Sequence, residues 1–400
     1  MKDTVFIQFY SVIDSPLSAA LLNGFSDTYD LCKSKGDFIW VENRGIDMRD
    51  YTYTEDFPIN TGTAYVSCVY LTHFNQVYMW ANLFPNVKFI VGGPLIDPNF
   101  SSIYVPNNIS IPSNIILSVK TVEEWFGVEN FSYKWKLVPP KLDKPYDLYF
   151  SYSLNNYCYW GKCIFCYQYR GQKKHIDRKI FNFGFEDIDY DGSLQVRLST
   201  SSLTPFHMRE MIPNLPLIDK IKHYRGFIKC TKRDMSLLKE IEPQMLDKLL
   251  LTTGVEFPSA KMLKYMNKGI TTKDLMEAFH TFRSLNCKFL FGIILGWPNL
   301  DKQDIKELES FMQNIPDDMG GSTVSLHKLF AFSGAPLQND LIKNPDKVFN
   351  VGSFELGFYP ELNQDQLDLS EEALNIVIKY CKLKNMSYFD TYSNVSDNKY

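Results

Sequence analysis

The sequence lacks any run of about 18 apolar residues, so it offers no candidate membrane span. Its opening, Met1-Lys2-Asp3-Thr4-Val5, runs straight into an apolar strand pattern and carries no long apolar core with a small-residue cleavage site, so no signal peptide is read and a cytoplasmic location is expected. Internal repeats and low-complexity tracts are missing. A surplus of one charge is missing too: 42 Lys and Arg face 46 Asp and Glu, a net charge of −4. That argues against the broad basic surface of a nucleic-acid binder. The local exception runs from Arg170 to Lys179 and includes Lys173, Lys174, His175, Arg178 and Lys179. It reads as a solvated loop or helix face, with an anion site as the alternative.

What is present describes an ordinary globular chain. Its 400 residues suggest two or three domains at roughly 150 residues each. With 45% hydrophobic residues it can bury a large core without disulfides. Five of the eight Cys are scattered singly, at 32, 68, 230, 287 and 381, whereas 158, 163 and 166 fall within nine residues. In a reducing compartment such a triplet reads as metal-binding or catalytic.

Residues 1–126 alternate strand-like and helix-like patterns: strands at Val5–Phe9, Phe38–Val41, Ala64–Leu71, Val87–Val91 and Ile115–Val119, helices at Ser18–Cys32, Phe74–Phe84 and Val122–Phe126. The alternation predicts an α/β fold, here a doubly wound, Rossmann-like domain. Residues 127–148, with Pro139-Pro140 and Pro145, read as a linker. From 149 to 340 a second series predicts six strands, Tyr149–Ser153, Leu194–Leu198, Gly226–Cys230, Leu250–Val255, Phe289–Leu295 and Val324–Phe332, with helices between them. That suits a partial (β/α)6 barrel. Residues 341–400 read as a short helical extension, with a helix at Ser370–Lys384 and a fraying polar tail.

The triplet follows the first strand of the second series, where barrel folds place their active-site loops. Three thiolates on one loop can hold three irons of a cubane cluster and leave the fourth iron open. No fourth Cys lies nearby. A structural zinc site needs four ligands, and the nearest His is His175. A redox pair of Cys163 and Cys166 would leave Cys158 unexplained.

With Phe165 just before the third Cys, this segment resembles the radical S-adenosylmethionine (SAM) superfamily, although four residues, not the usual three, separate the first two Cys. The resemblance implies a [4Fe–4S] cluster on Cys158, Cys163 and Cys166, SAM chelated at the open iron, and cleavage of SAM to methionine and a 5′-deoxyadenosyl radical. It implies Phe165 beside the adenine. It places Glu256 on the SAM ribose or amino group, from Gly254-Val255-Glu256. Gly292 and Gly296 would let backbone approach the adenine, and Leu329–Leu337 resembles the sixth-strand loop. The family's Gly-Gly-Glu is absent, and Ser199 and Ser201 stand in its region. A flavodoxin or ferredoxin reductant is implied as well.

The order Ala64–Leu71, helix, Val87–Val91, Gly92-Gly93-Pro94 resembles the cobalamin-binding domain that precedes many radical SAM cores, but the Asp-x-His-x-x-Gly signature is missing. The domain therefore reads equally as a cobalamin site without a His ligand or as a domain that only scaffolds or binds substrate. For the reaction, the first expectation is hydrogen abstraction from a ribosomally made peptide, ending in epimerisation or another modification. Cys230, Cys287 or Cys381 would be the hydrogen donor. The second is cobalamin-dependent radical methylation of an unactivated carbon in a natural product, and the third is a non-catalytic iron–sulfur protein.

Overall fold

The computed structural model describes residues 3–13, 19–22, 29–42, 62–68, 71–93, 96, 110–118, 120, 122–128, 147–151, 158–166, 190–332, 335–351 and 354–390. The core of the linker, the basic stretch with His175, and the end of the tail lie outside the described residues.

The first region is a five-stranded parallel sheet. Its strands are β1 (Thr4–Ile13), β3 (Asp37–Glu42), β4 (Thr63–Ser67), β5 (Lys88–Gly92) and β6 (Ile115–Leu117), in the order β3-β1-β4-β5-β6. Numbered among themselves they run 2-1-3-4-5, the doubly wound order whose switch point lies between β1 and β4. The helices α1 (Tyr29–Lys35), α2 (Leu71–Leu83) and α3 (Val122–Phe126) follow β2, β4 and β6, where β2 is Ala19–Leu22. β2 corrects the helix expected over Ser18–Cys32: Ala19-Ala20-Leu21-Leu22 pairs antiparallel with the end of β1. Tertiary pairing overrides the helix propensity of Ala and Leu here. The core of this region gathers Val5, Ile7, Phe9, Val66, Phe74, Trp80, Phe89 and Val91.

β2 also pairs, in parallel, with β7 (Asp147–Ser151), so one continuous sheet runs into the second region. There β7, β8 (Leu194–Ser202), β9 (Ile221–Phe227), β10 (Leu249–Glu256), β11 (Phe289–Leu295) and β12 (Thr323–Lys328) are parallel neighbours in sequence order. A seventh strand, β16 (Ser387–Asp390), joins β12, where a fraying tail was expected. The result is a curled seven-stranded half-barrel. In β10 and β11 burial alternates strictly, with Leu249, Leu251, Val255, Phe289, Phe291 and Ile293 packed outward under the helices.

The outer helices are α4 (Lys232–Leu238), α5 (Pro243–Lys248), α6 (Ala260–Tyr265), α7 (Thr272–Ser284), α8 (Lys302–Asn314) and α9 (Gln364–Leu383). Capping boxes start α7 at Thr271 with Asp274 and α8 at Asp301 with Asp304, satisfying two otherwise orphaned N–H groups each. Phe279 on α7 meets Phe289, Phe291 and Phe311 edge-on at 5.1, 4.9 and 5.3 Å, each contact worth about 0.5–1.5 kcal/mol beyond burial. A small antiparallel sheet, β13 (Ala331–Phe332), β15 (Phe354–Pro360) and β14 (Lys343–Val351), follows the barrel. Among the described residues no helix is long and apolar enough to cross a membrane.

Candidate active site at the rim of the half-barrel

Cys158, Cys163 and Cys166 are partly exposed, whereas the other five Cys are buried. Their loop is pinned on two sides by main-chain bonds. Ile164 donates to the Met266 carbonyl at 3.2 Å, and Leu337 donates to the Ile164 carbonyl at 2.9 Å. Trp160 donates its indole N–H to the Asn267 carbonyl at 2.7 Å. Its ring occupies the space a Cβ on Gly269 would need, coming within 2.1 Å of that position. Gly269, at φ +64°, is therefore required both by the backbone and by the ring. Tyr159 donates to the Asp234 carboxylate at 2.5 Å, tying the loop to α4. Asp234 also accepts from Thr231, and burial raises its pKa although both hydroxyls pull the other way.

Under the loop, β10 ends in a bulge between Gly254 and Glu256, and Glu256 sits at φ +63°. Its side chain folds back over the strand, so a Cβ on Gly254 would come within 2.0 Å of Glu256 Oε1. Lys268 Nζ meets Oε1 at 2.8 Å, with side-chain exposures of 12% and 13%, so this ion pair is shielded from water. Burial opposes the charge on Lys268, but Glu256 and the Cys163 and Cys166 thiols outweigh it and hold its pKa above the ordinary lysine range. A second cation, Lys229, lies 3.5 Å from the Trp160 ring centre. Burial brings its pKa down to about 8 against the pull of Cys163 and Cys158. Burial pushes the Cys163 thiol up, while Lys268 pulls it down.

Among the described residues no three His, Cys, Asp or Glu side chains converge on a single metal ion. A cubane does not ask for that, because each thiolate binds its own iron. The donor set fits such a cluster: three thiols on one clamped loop, with Lys229 and Lys268 beside them. Room for a ligand exists beside it. A Cβ at Gly292 would meet only Glu256 Oε2, at 3.8 Å, so the lumen face there is open.

The other anticipated residues fall as follows. Phe165 packs edge-on against Trp297 at 5.7 Å, with Lys268 Nζ 5.6 Å from its ring. Gly296 turns the chain after β11 at φ +84°. Ser199 and Ser201 lie on β8, and their side chains are outside the described residues. Cys230, Cys287 and Cys381 sit in the hydrophobic core. Cys230 shares a hydrogen bond with Thr253 at 3.1 Å, and burial raises all three thiols, Cys230 and Cys287 to about 11 and Cys381 to about 12. Sequence reasoning missed Tyr159, Trp160, Lys229 and Asp234, whose partners lie at least 69 residues away in the chain. The one local signal was Lys268-Gly269, a glycine directly behind a cation.

No family model matches the sequence. Among solved structures, the cobalamin-dependent SAM radical enzyme OxsB superposes with a TM-score of 0.60 at 13% identity, over 92% of this chain and 65% of that one. The chain shares the fold of that enzyme. The radical SAM methyltransferase TsrM from Kitasatospora setae, solved with cobalamin and a [4Fe–4S] cluster bound, matches 99% of this chain and 94% of its own, with a TM-score of 0.57 at 10% identity. TsrM has also been solved with tryptophan substrate and a SAM analogue. Among curated proteins, a tRNA-2-methylthio-N6-dimethylallyladenosine synthase of Natranaerobius thermophilus is 24% identical over 185 residues, 42% of this chain. The match spans about two fifths (39%) of that relative, and the fold shared with OxsB covers just under two thirds of the OxsB chain.

Proposed function

We propose that this chain reductively cleaves SAM at a [4Fe–4S] cluster held by Cys158, Cys163 and Cys166 and directs the 5′-deoxyadenosyl radical at a substrate in the half-barrel. One observation carries the reading: the only three partly exposed Cys share one loop, and that loop is clamped over the Glu256–Lys268 pair. A cluster there supplies one electron and an open iron for the amino and carboxylate groups of SAM. Lys268 fixes one oxygen of Glu256, and the carboxylate accepts from a ribose hydroxyl or the amino group of SAM. Gly292 and Gly296 leave space for the adenine beside Phe165, and Ser199 and Ser201 offer hydroxyls to the methionine end. Tyr159 and Trp160 hold the loop in place.

For the reaction that follows we favour cobalamin-dependent methylation of a small molecule over peptide epimerisation. The support is the 2-1-3-4-5 sheet over residues 1–126 and its Gly93 turn, where a Cβ would press on Cys68 and Ser67, together with the fold shared with OxsB and TsrM. Epimerisation loses support because Cys230, Cys287 and Cys381 are all buried. A flavodoxin or ferredoxin reductant and a cytoplasmic setting belong to the same proposal.

The test is anaerobic reconstitution with iron and sulfide, addition of dithionite and SAM, and chromatography of the products. Formation of 5′-deoxyadenosine supports the radical reading, and a cobalamin absorbance that co-purifies selects methylation. A fully loaded cluster that leaves SAM uncleaved sinks the proposal and leaves a non-catalytic iron–sulfur protein.

A further inference from the structure

The lumen face of the half-barrel carries charge that the Cys loop does not use. Register places Arg197 of β8 opposite Arg225 of β9, with Leu250 of β10 on the far side of Arg225. Residues in register on parallel strands share a face. Leu250 alternates with the outward Leu249 and Leu251, so all three point into the lumen. Both arginines are half-buried and braced on aromatic rings, Arg197 at 5.6 Å from Phe227 and Arg225 at 5.1 Å from Tyr149.

Among the described residues no carboxylate pairs with either arginine, although other shielded charges in the half-barrel region are matched, Lys268 by Glu256 and Asp304 by Lys261. Like charges facing each other on neighbouring strands oppose folding. One step along the same face, Gln195 and His223 are in register, and each has an unpartnered atom. Gln195, 5% exposed, donates through Nε2 to Asp147 at 3.2 Å and leaves Oε1 without a partner, as His223 leaves Nδ1. Four polar groups thus converge on one stretch of lumen without satisfying one another.

We propose that Arg197 and Arg225, with His223 and Gln195 beside them, bind an oxyanion of the substrate. The guanidinium groups and a His223 N–H donate to a carboxylate or phosphate, and Gln195 Oε1 accepts from an N–H or O–H next to it. The assignment rests on the reading of the rim as the site of chemistry. Leu250, in register with Arg225, lies four residues before Gly254, about 13 Å along the strand, so the anion is held a small molecule's length from the SAM side. The substrate class is therefore a compact anionic molecule with a hydrogen-bond donor beside its acid group.

The test uses the 400-residue chain and thermal unfolding with inorganic phosphate, with succinate, and with sodium chloride at matched ionic strength. A saturable rise in Tm with phosphate or succinate beyond the chloride control is expected. A response to phosphate alone identifies a phosphate substrate, and a response to succinate alone a carboxylate. Arg197→Gln and Arg225→Gln should each weaken that binding about tenfold or more. Without anion, each variant should be as stable as the parent or more so, because repulsion is relieved. A rise that is missing in the parent or kept in both variants overturns the proposal, as does a loss of stability in both variants without anion. Formation of 5′-deoxyadenosine by the parent is scored separately, so failure of the cluster reading is not confused with failure of the anion site.

Discussion

The half-barrel and the N-terminal sheet follow the same strand–helix grammar, yet they treat reactive side chains in opposite ways. At the strand ends of the N-terminal sheet, among the described residues, Cys68 is fully buried and its thiol is raised by burial. His73 is buried against Phe9 with ring centres 4.4 Å apart, and burial brings its pKa down to about 3. At the rim of the half-barrel the three loop Cys stay partly exposed, and Glu256 and Lys268 lie beneath them as a shielded pair. The contrast agrees with the proposed function, which puts the radical chemistry in the barrel. The sheet offers backbone, small residues and apolar surface, which suits holding a ligand better than acting on one.

The largest expected effect tests that division directly. Cys163→Ala should drop SAM cleavage to background while circular dichroism and Tm of the cluster-free protein stay close to the parent; retained cleavage would move the chemistry elsewhere. Next, Lys268→Met should leave the Glu256 carboxylate shielded and unpaired, costing about 3–5 kcal/mol in denaturant unfolding. Glu256→Gln in the same background should recover much of that loss. Gly292→Val fills a space that holds no protein atom but Glu256 Oε2 within 4 Å. It should weaken SAM binding about tenfold or more, or 1.4 kcal/mol, with the fold intact. A variant that binds SAM normally would show that the open lumen face serves something else.

The smallest effect sharpens the other side of the comparison. His73 is neutral in the folded sheet and takes up a proton near pH 6.5 once unfolded, so the unfolded state binds more protons as pH falls. Stability should be full above about pH 6.5 and fall by up to about 1.4 kcal/mol per pH unit down towards pH 3. His73→Phe should flatten that slope, read from Tm against pH, while SAM cleavage at neutral pH is unchanged. An unaltered slope would mean that His73 does not set the acid limit.

Legibility in the sequence tracked how local each signal was. Phe289–Leu295 was read with its true bounds because a continuous apolar run closed by Gly and Pro needs no context. β9 was read about four residues late, at Gly226–Cys230, because its lumen face carries His223 and Arg225 and breaks the apolar run. β16 was missed because Ser-Tyr-Phe-Asp is too short to show a period and is made a strand only by pairing with β12. The Cys triplet was legible because three ligands share one loop. Lys229 and Asp234 were not, since a lone Lys or Asp looks like surface until the fold brings it under Trp160 or Tyr159.

The most direct measurement is an electron paramagnetic resonance spectrum of the dithionite-reduced, reconstituted protein before and after SAM is added. About four irons per chain are expected, with a cluster signal that shifts when SAM occupies the open iron and no such signal in Cys163→Ala. A fully loaded cluster whose spectrum is unchanged by saturating SAM would contradict it.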